Sequence, residues 1–227
     1  MSAAKVSDNA RVAVKSHLSG DHLSAAVFFA RSCAQIEATN SGPPSDEVRA
    51  QHRSFAIGAV ISAVAYLEAA ANEVYLAATD NDPHLFAKAD ARLPTLLAHV
   101  WDSVEAIRTL QKYQVALVLA QKSPFDQGTA PFQLASHLLV LRNNLVHYKP
   151  EWDSDLQDHK KIEVRLRGAF RENPYSDKSQ AFFPHRCLGH GCAAWAVRSA
   201  WSFVESFYSR MDLPYWAAGY STRVASA

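Results

Sequence analysis

The sequence predicts an all-α fold, a single helical bundle. Three observations lead there. The 227 residues include 38 alanines and only 8 glycines, a composition that favours helix over sheet. The 10 prolines fall in a few places, and the segments between them carry apolar residues at three- and four-residue steps. Strand signals are weak throughout. Long helices joined by short connections form a bundle. The domain is expected over residues 21–211, after a flexible 1–20 segment and before a 212–227 tail, with an excursion at about 150–191.

Each element has its own justification. Asp21–Thr39 carries Leu23, Val27, Ala30 and Ala34 on one stripe. Ser45 follows a proline pair and is placed to cap a long helix running to about Ala78. The stripe of that helix is Ile57, Ile61, Val64, Leu67/Glu68, Ala71 and Tyr75. Pro94–Gln121 supplies one or two further helices, with Val104, Ile107, Leu110, Val115 and Val118 as core candidates. Thr129 and Pro131 mark the start of another helix, which should run to about Tyr148 because Pro150 disfavours helical geometry at Lys149. Asp155–Phe170 reads as a helix or an irregular excursion, and the alternation of Ile162 to Leu166 also allows a short strand. The last helix is expected from about Cys192 to Arg210.

Composition excludes several classes of function. Twenty-three Lys+Arg against 22 Asp+Glu give a formal charge of +1, which argues against a uniformly basic nucleic-acid coat but allows a local patch. The opening residues carry no apolar stretch after a basic start, so no secretory signal is read. The longest uncharged apolar run, Phe55–Leu67, is about 13 residues where a bilayer span needs ~20. Three cysteines, Cys33, Cys187 and Cys192, do not suggest a disulfide framework. A cytoplasmic protein without membrane partners is expected. No Walker loop, G-x-G-x-x-G, G-x-S-x-G or H-E-x-x-H occurs.

The chemistry concentrates on Leu134–Pro150, LASHLLVLRNNLVHYKP. Leu134, Leu138, Leu141 and Leu145 fall in one arc at 100° per residue. Asn143 and His147 lie on roughly the opposite side with Ser136 and Val140, margined by Leu139 and Val146, and Arg142 sits on the flank. A helix apolar on both sides is buried on both sides, and in a one-domain bundle the second burial suits another subunit.

Arg142-Asn143-Asn144-Leu145-Val146-His147 resembles the R-N-x-x-x-H signature of HEPN domains (higher eukaryotes and prokaryotes nucleotide-binding), and the flanking L-R-N-x-L-V-H-Y-K-P resembles their ribonuclease members. The long upstream helix with an internal acid, Glu68, and the small and aromatic residues of the last helix resemble the family in shape. The resemblance implies a bundle of four to five core helices that dimerises through the motif helix, with two motifs facing across a cleft. It also implies metal-independent RNA cleavage, in which the 2′-OH attacks the adjacent phosphate to leave a 2′,3′-cyclic phosphate and a 5′-OH. No cofactor and no metal are expected. Toxin–antitoxin or anti-phage roles, with an antitoxin or regulatory partner, follow by family analogy. In toxins paired with nucleotidyltransferase antitoxins a tyrosine stands two residues after the histidine; here Tyr148 is one residue after and Lys149 takes that place.

The residue types suit phosphodiester chemistry. His147 can take or give a proton near neutral pH, Arg142 can hold a phosphate in a fork, and the Asn143 amide can orient either. Glu68 is the auxiliary candidate for the catalytic site: it interrupts an apolar stripe, so it faces a cleft or is buried with a partner, for which Arg142 is the candidate, and Asn72 is a companion one turn on. Lys149, Lys160, Lys161 and Arg165 are candidates to guide an RNA backbone, interleaved with Asp158, Glu163 and Glu172. Helix-terminal chemistry alone would also place Arg, Asn and His here. Two alternatives stay open: a non-catalytic HEPN-fold module that binds nucleotide, RNA or protein, and a zinc-stabilised bundle using His185, Cys187, His190 and Cys192. The spacing of those four matches no standard zinc motif, so a glycine-rich turn is the expectation there.

Overall fold

Among the described residues, eight α-helices and two short helical turns build the chain, and there is no strand. The computed structural model describes residues 15–40, 42–152 and 156–227. Most of the expected flexible 1–20 segment therefore lies outside the described residues, as does Asp155.

The order is α1 Ser19–Thr39, α2 Asp46–Thr79, α3 Leu93–Val104, α4 Thr109–Leu119, α5 Phe132–Val146, α6 Asp158–Leu166, α7 His190–Arg210 and α8 Ser221–Ala225. Short turns at Phe182–Arg186 and Trp216–Tyr220 precede α7 and α8. Ser45 caps α2 as expected, accepting from the Val48 N–H at 3.3 Å. The long α2 is the hub, packed against α1, α3, α5 and α7. Its N-terminal half turns small residues inward: Ala56, Ala59, Val60 and Ala63 are fully buried, whereas Ile57 is half-buried and Ile61 exposed. Alanines let α1 approach closely, and at Gly58 even a Cβ would come within 2.9 Å of the Phe29 ring. By length and apolarity α2 could also cross a membrane, but half of that apolar stretch is buried within the bundle, the position of a core helix.

Several boundaries differ from expectation. Pro94–Gln121 forms two helices, and within the second Tyr113, Ala116 and Leu117 face the core while Val118 is exposed. The α5 helix starts at Phe132, after Pro131, and Thr129 makes no side-chain cap. It ends at Val146, because the next residues are drawn into packing against α6. Ile162–Leu166 is helix: Ile162 and Leu166, one turn apart, are buried, while Val164 is 79% exposed. A strand would have put all three on one face.

Both ends of the described chain are tied down. Glu73 accepts from the Ser19 N–H at 2.9 Å and from its hydroxyl, and Lys15 pairs with Asp80. The 212–227 segment packs back on the bundle, with Leu213, Ala217, Val224 and Ala227 buried and the Tyr215 hydroxyl bonded to that of Tyr66.

Candidate functional site

The motif closes α5. Leu138 and Leu141 are fully buried and Leu134 and Leu145 half-buried, so the expected leucine arc anchors the helix against α2 and α7. The opposite side is open: Asn143, Val146 and His147 are exposed, and Ser136, Leu139 and Val140 are half-buried. His147 is the C-cap residue, its N–H donating to the Asn143 carbonyl at 2.9 Å. Its imidazole stands at the helix end beside a groove of about 220 Å³ lined by Asn143, Asn144, His147, Lys149, Asp158 and His159.

The far wall of the groove is built by a glutamate outside the motif. The Glu151 carboxylate accepts the backbone N–H groups of Gln157, Asp158 and His159 at 3.0, 2.9 and 3.2 Å, capping α6 from outside the helix. The Asp158 N–H above all, with those of His159 and Gln157 and the nearby His159 ring, holds this carboxyl below its ordinary pKa. His159 is buried; its Nε2 lies 3.1 Å from the Lys149 carbonyl, so that nitrogen carries the proton. The ring stacks on Tyr148 at 5.5 Å and meets the edge of Phe183 at 5.0 Å. These contacts fix the 147–151 loop over α6 and set Lys149 at the groove. Asp158 is held ionised chiefly by its 2.7 Å bond to Lys161, with Lys149 and His159 adding to the effect. Sequence reasoning misses His159 and Glu151 because their signal is tertiary.

The expected residues thus separate into groups. Asn143, His147 and Lys149 come together at the groove. Lys160 and Arg165 are exposed on α6. Arg165 lies near His137, whose imidazole is pushed toward its neutral form first by burial and then by that cation. Lys161 is occupied by Asp158. Arg142 is half-buried, does not line the groove, and its Nε is buried without a hydrogen-bond partner.

Glu68 is a correction. It forms no ion pair with Arg142; it takes the ammonium of Lys112 and the hydroxyl of Thr109, and Lys112 also donates to Asn72 Oδ1 at 2.8 Å. The physical reason is Lys112, which is 1% exposed and needs an anion. The acid in the apolar stripe is there to neutralise a buried base from α4.

The four residues of the 185–192 turn do not converge. Cys187 and Cys192 are buried thiols, and burial pushes both toward the protonated form. Nδ1 of His185 lies 3.3 Å from Arg53, and Nε2 of His190 lies 3.3 Å from the Ala227 carbonyl. Glycine is required at 191 by close approach: a Cβ there would stand 2.2 Å from the Arg171 carbonyl oxygen. No family model, no curated protein and no solved structure matches this chain.

Chemically, the groove offers an exposed imidazole, two side-chain amides and a lysine ammonium, with the Asp158 carboxylate, paired to Lys161, on its wall. Such a set can bind a phosphate and exchange a proton with it.

Proposed function

We propose that the chain is a HEPN-like, metal-independent endoribonuclease, acting in the cytoplasm as a homodimer joined along the outer face of α5. One observation carries the reading: His147 stands exposed at a groove shared with Asn143 and Lys149, on a helix whose outward residues Leu139, Val140 and Val146 are left partly or fully uncovered. A second subunit laid on that face would bring two grooves together.

In the proposed reaction His147 removes the 2′-OH proton and the freed oxygen attacks phosphorus. The 5′ oxygen leaves with a proton returned by an imidazolium, and a 2′,3′-cyclic phosphate remains. Lys149 and Asn143 hold the phosphate oxygens. Toxin or anti-phage activity, restrained by a partner protein, is the biological setting that family analogy suggests.

A second reading has one observation in its favour. Arg142 does not reach the groove in the single chain, so the same surface could bind RNA or protein without cutting. Incubating the purified chain with RNA in EDTA separates the two. Cleavage with 2′,3′-cyclic ends, lost in His147→Ala and Arg142→Ala, supports the nuclease; retention without cleavage supports the binding module.

A further inference from the structure

We propose that Cys33, Glu37 and His52 form a binding site for one zinc-class transition-metal ion, with its fourth position open to solvent. One ligand atom from each residue lies within 4.8 Å of the others. Zinc held at ordinary S, N and O distances spaces its tetrahedral ligands by about 3.3–3.8 Å, so the widest gap in the cluster must close by up to ~1–1.5 Å while Glu37 Oε1 and His52 Nε2, 2.8 Å apart, must separate by ~0.5 Å. Cys33 and Glu37 stand one turn apart on α1 and His52 faces them from α2, two helices packed directly on each other. Such a pair of rigid elements can hold ligands in place before the ion arrives.

The donor set selects the metal. A thiolate, an imidazole and a single carboxylate suit zinc rather than calcium or magnesium. The charges close as well: two ligand anions and a neutral imidazole cancel a divalent cation, which a buried site requires. Cys33 is fully buried, His52 1% exposed and the Glu37 side chain 12% exposed. Of the three, only Glu37 also lines a cavity of about 880 Å³ between the end of α1 and the 171–180 segment, so an ion's way in and its water-held fourth position lie on the Glu37 side.

In the metal-free chain two of the three ligands are bonded to each other, and the His190 N–H supports one of them from outside. Glu37 Oε1 lies 2.8 Å from His52 Nε2 and accepts the His190 N–H at 2.8 Å, at the start of α7. Capping of α7 accounts for Glu37 and its bond to His52. In the metal-free chain the Cys33 thiol donates a weak hydrogen bond to the His52 carbonyl at 3.7 Å, which the metal–sulfur bond would replace. On metal binding the Cys33 S–H bond breaks, a metal–sulfur bond forms, and the proton leaves to solvent. The His52 proton moves from Nε2 to Nδ1 as Nε2 takes the metal. The cluster is already hydrogen-bonded without an ion, so the metal adds stability rather than permitting the fold. The site is separate from the His147 groove, and the inference stands whether or not RNA is cut.

The test uses the whole chain, stripped with chelator and checked by circular dichroism, then titrated with cobalt(II) and zinc. The expected result is one ion per chain, a thiolate-to-cobalt charge-transfer band with tetrahedral visible bands, and one proton released per ion. Cys33→Ala removes the charge-transfer band. Glu37→Gln keeps both hydrogen-bond positions at Oε1 and weakens zinc by at least ~10–100-fold, the size of loss typical even for outer-shell changes. A folded wild-type chain without the thiolate band overturns the proposal, as does a band of full strength in Cys33→Ala. Should Cys33→Ala fail to fold, unchanged zinc affinity in Glu37→Gln overturns it equally.

Discussion

Replacing Glu68 by glutamine strands a cation inside the bundle. The Lys112 side chain is 1% exposed and Glu68 supplies its only anion among the described residues, while Asn72 Oδ1 at 2.8 Å is a neutral acceptor. Removing one partner from a buried ion pair costs ~3–5 kcal/mol. The Glu68 side chain is itself 38% exposed, so water reaches part of the gap and the glutamine oxygen still accepts, reducing the loss to about 2–3 kcal/mol. For a chain of this length that lowers Tm by roughly 4–12 °C. Lys112→Met should cost less, about 1 kcal/mol, because a long apolar side chain fills the same buried path and the remaining carboxylate is half in water. Urea and thermal unfolding of both variants, followed by circular dichroism, measure the difference. RNA cleavage per folded molecule should be unchanged in Glu68→Gln. A Glu68→Gln chain within about 0.5 kcal/mol of wild type, the scatter of ordinary surface changes, would refute the buried-charge reasoning. So would a Lys112→Met variant that is the more damaged of the two.

Three further outcomes are expected. Gly191→Ala drives a Cβ to 2.2 Å from the Arg171 carbonyl oxygen, so backbone must move and chemical denaturation should show a loss of at least ~1–3 kcal/mol. Lys149→Gln should weaken RNA binding at all sequences and flatten the plot of log affinity against log salt by about 0.7, the share of one neutralised phosphate on a single strand; an unchanged slope removes Lys149 from the interface. Because the Glu151 carboxyl is held below its ordinary value of 4.5, its contribution is complete above that pH and is lost as pH falls through the depressed value. The protection of the Gln157, Asp158 and His159 amides, measured against their intrinsic exchange at each pH, should therefore fall first as the solution is acidified below 4.5, and should be lost already at neutral pH in Glu151→Ala.

Local signals are legible in the sequence, and tertiary ones are not. Ser45 at the head of α2 and the leucine arc of α5 are written within single helices, and both are found, while the other side of α5 is open in the single chain. Ile162 to Leu166 is ambiguous because Ile162, Val164 and Leu166 fit period 2 while Ile162 and Leu166 also fit one helical turn; only packing against the 182–186 turn decides it. The partner of Glu68 comes from α4, more than forty residues away, and no spacing rule points to Lys112. Likewise His159 and Glu151 shape the groove through contacts between a loop and the helix that follows it. The 212–227 segment reads as a tail because it follows the last long helix and carries no long helical stripe, yet Leu213, Ala217, Val224 and Ala227 seat it on the bundle.

The central claim is that His147 handles a phosphodiester. Single-turnover cleavage of a single-stranded RNA, run in EDTA with the wild-type chain and with folded His147→Ala, tests it directly. Wild type should cut to 2′,3′-cyclic phosphate and 5′-OH ends, and the variant should be slower by a factor of ~10²–10⁴, the usual loss for a general acid or base. Equal rates in the two proteins, or no cutting by wild type of any RNA it demonstrably binds, would contradict the claim.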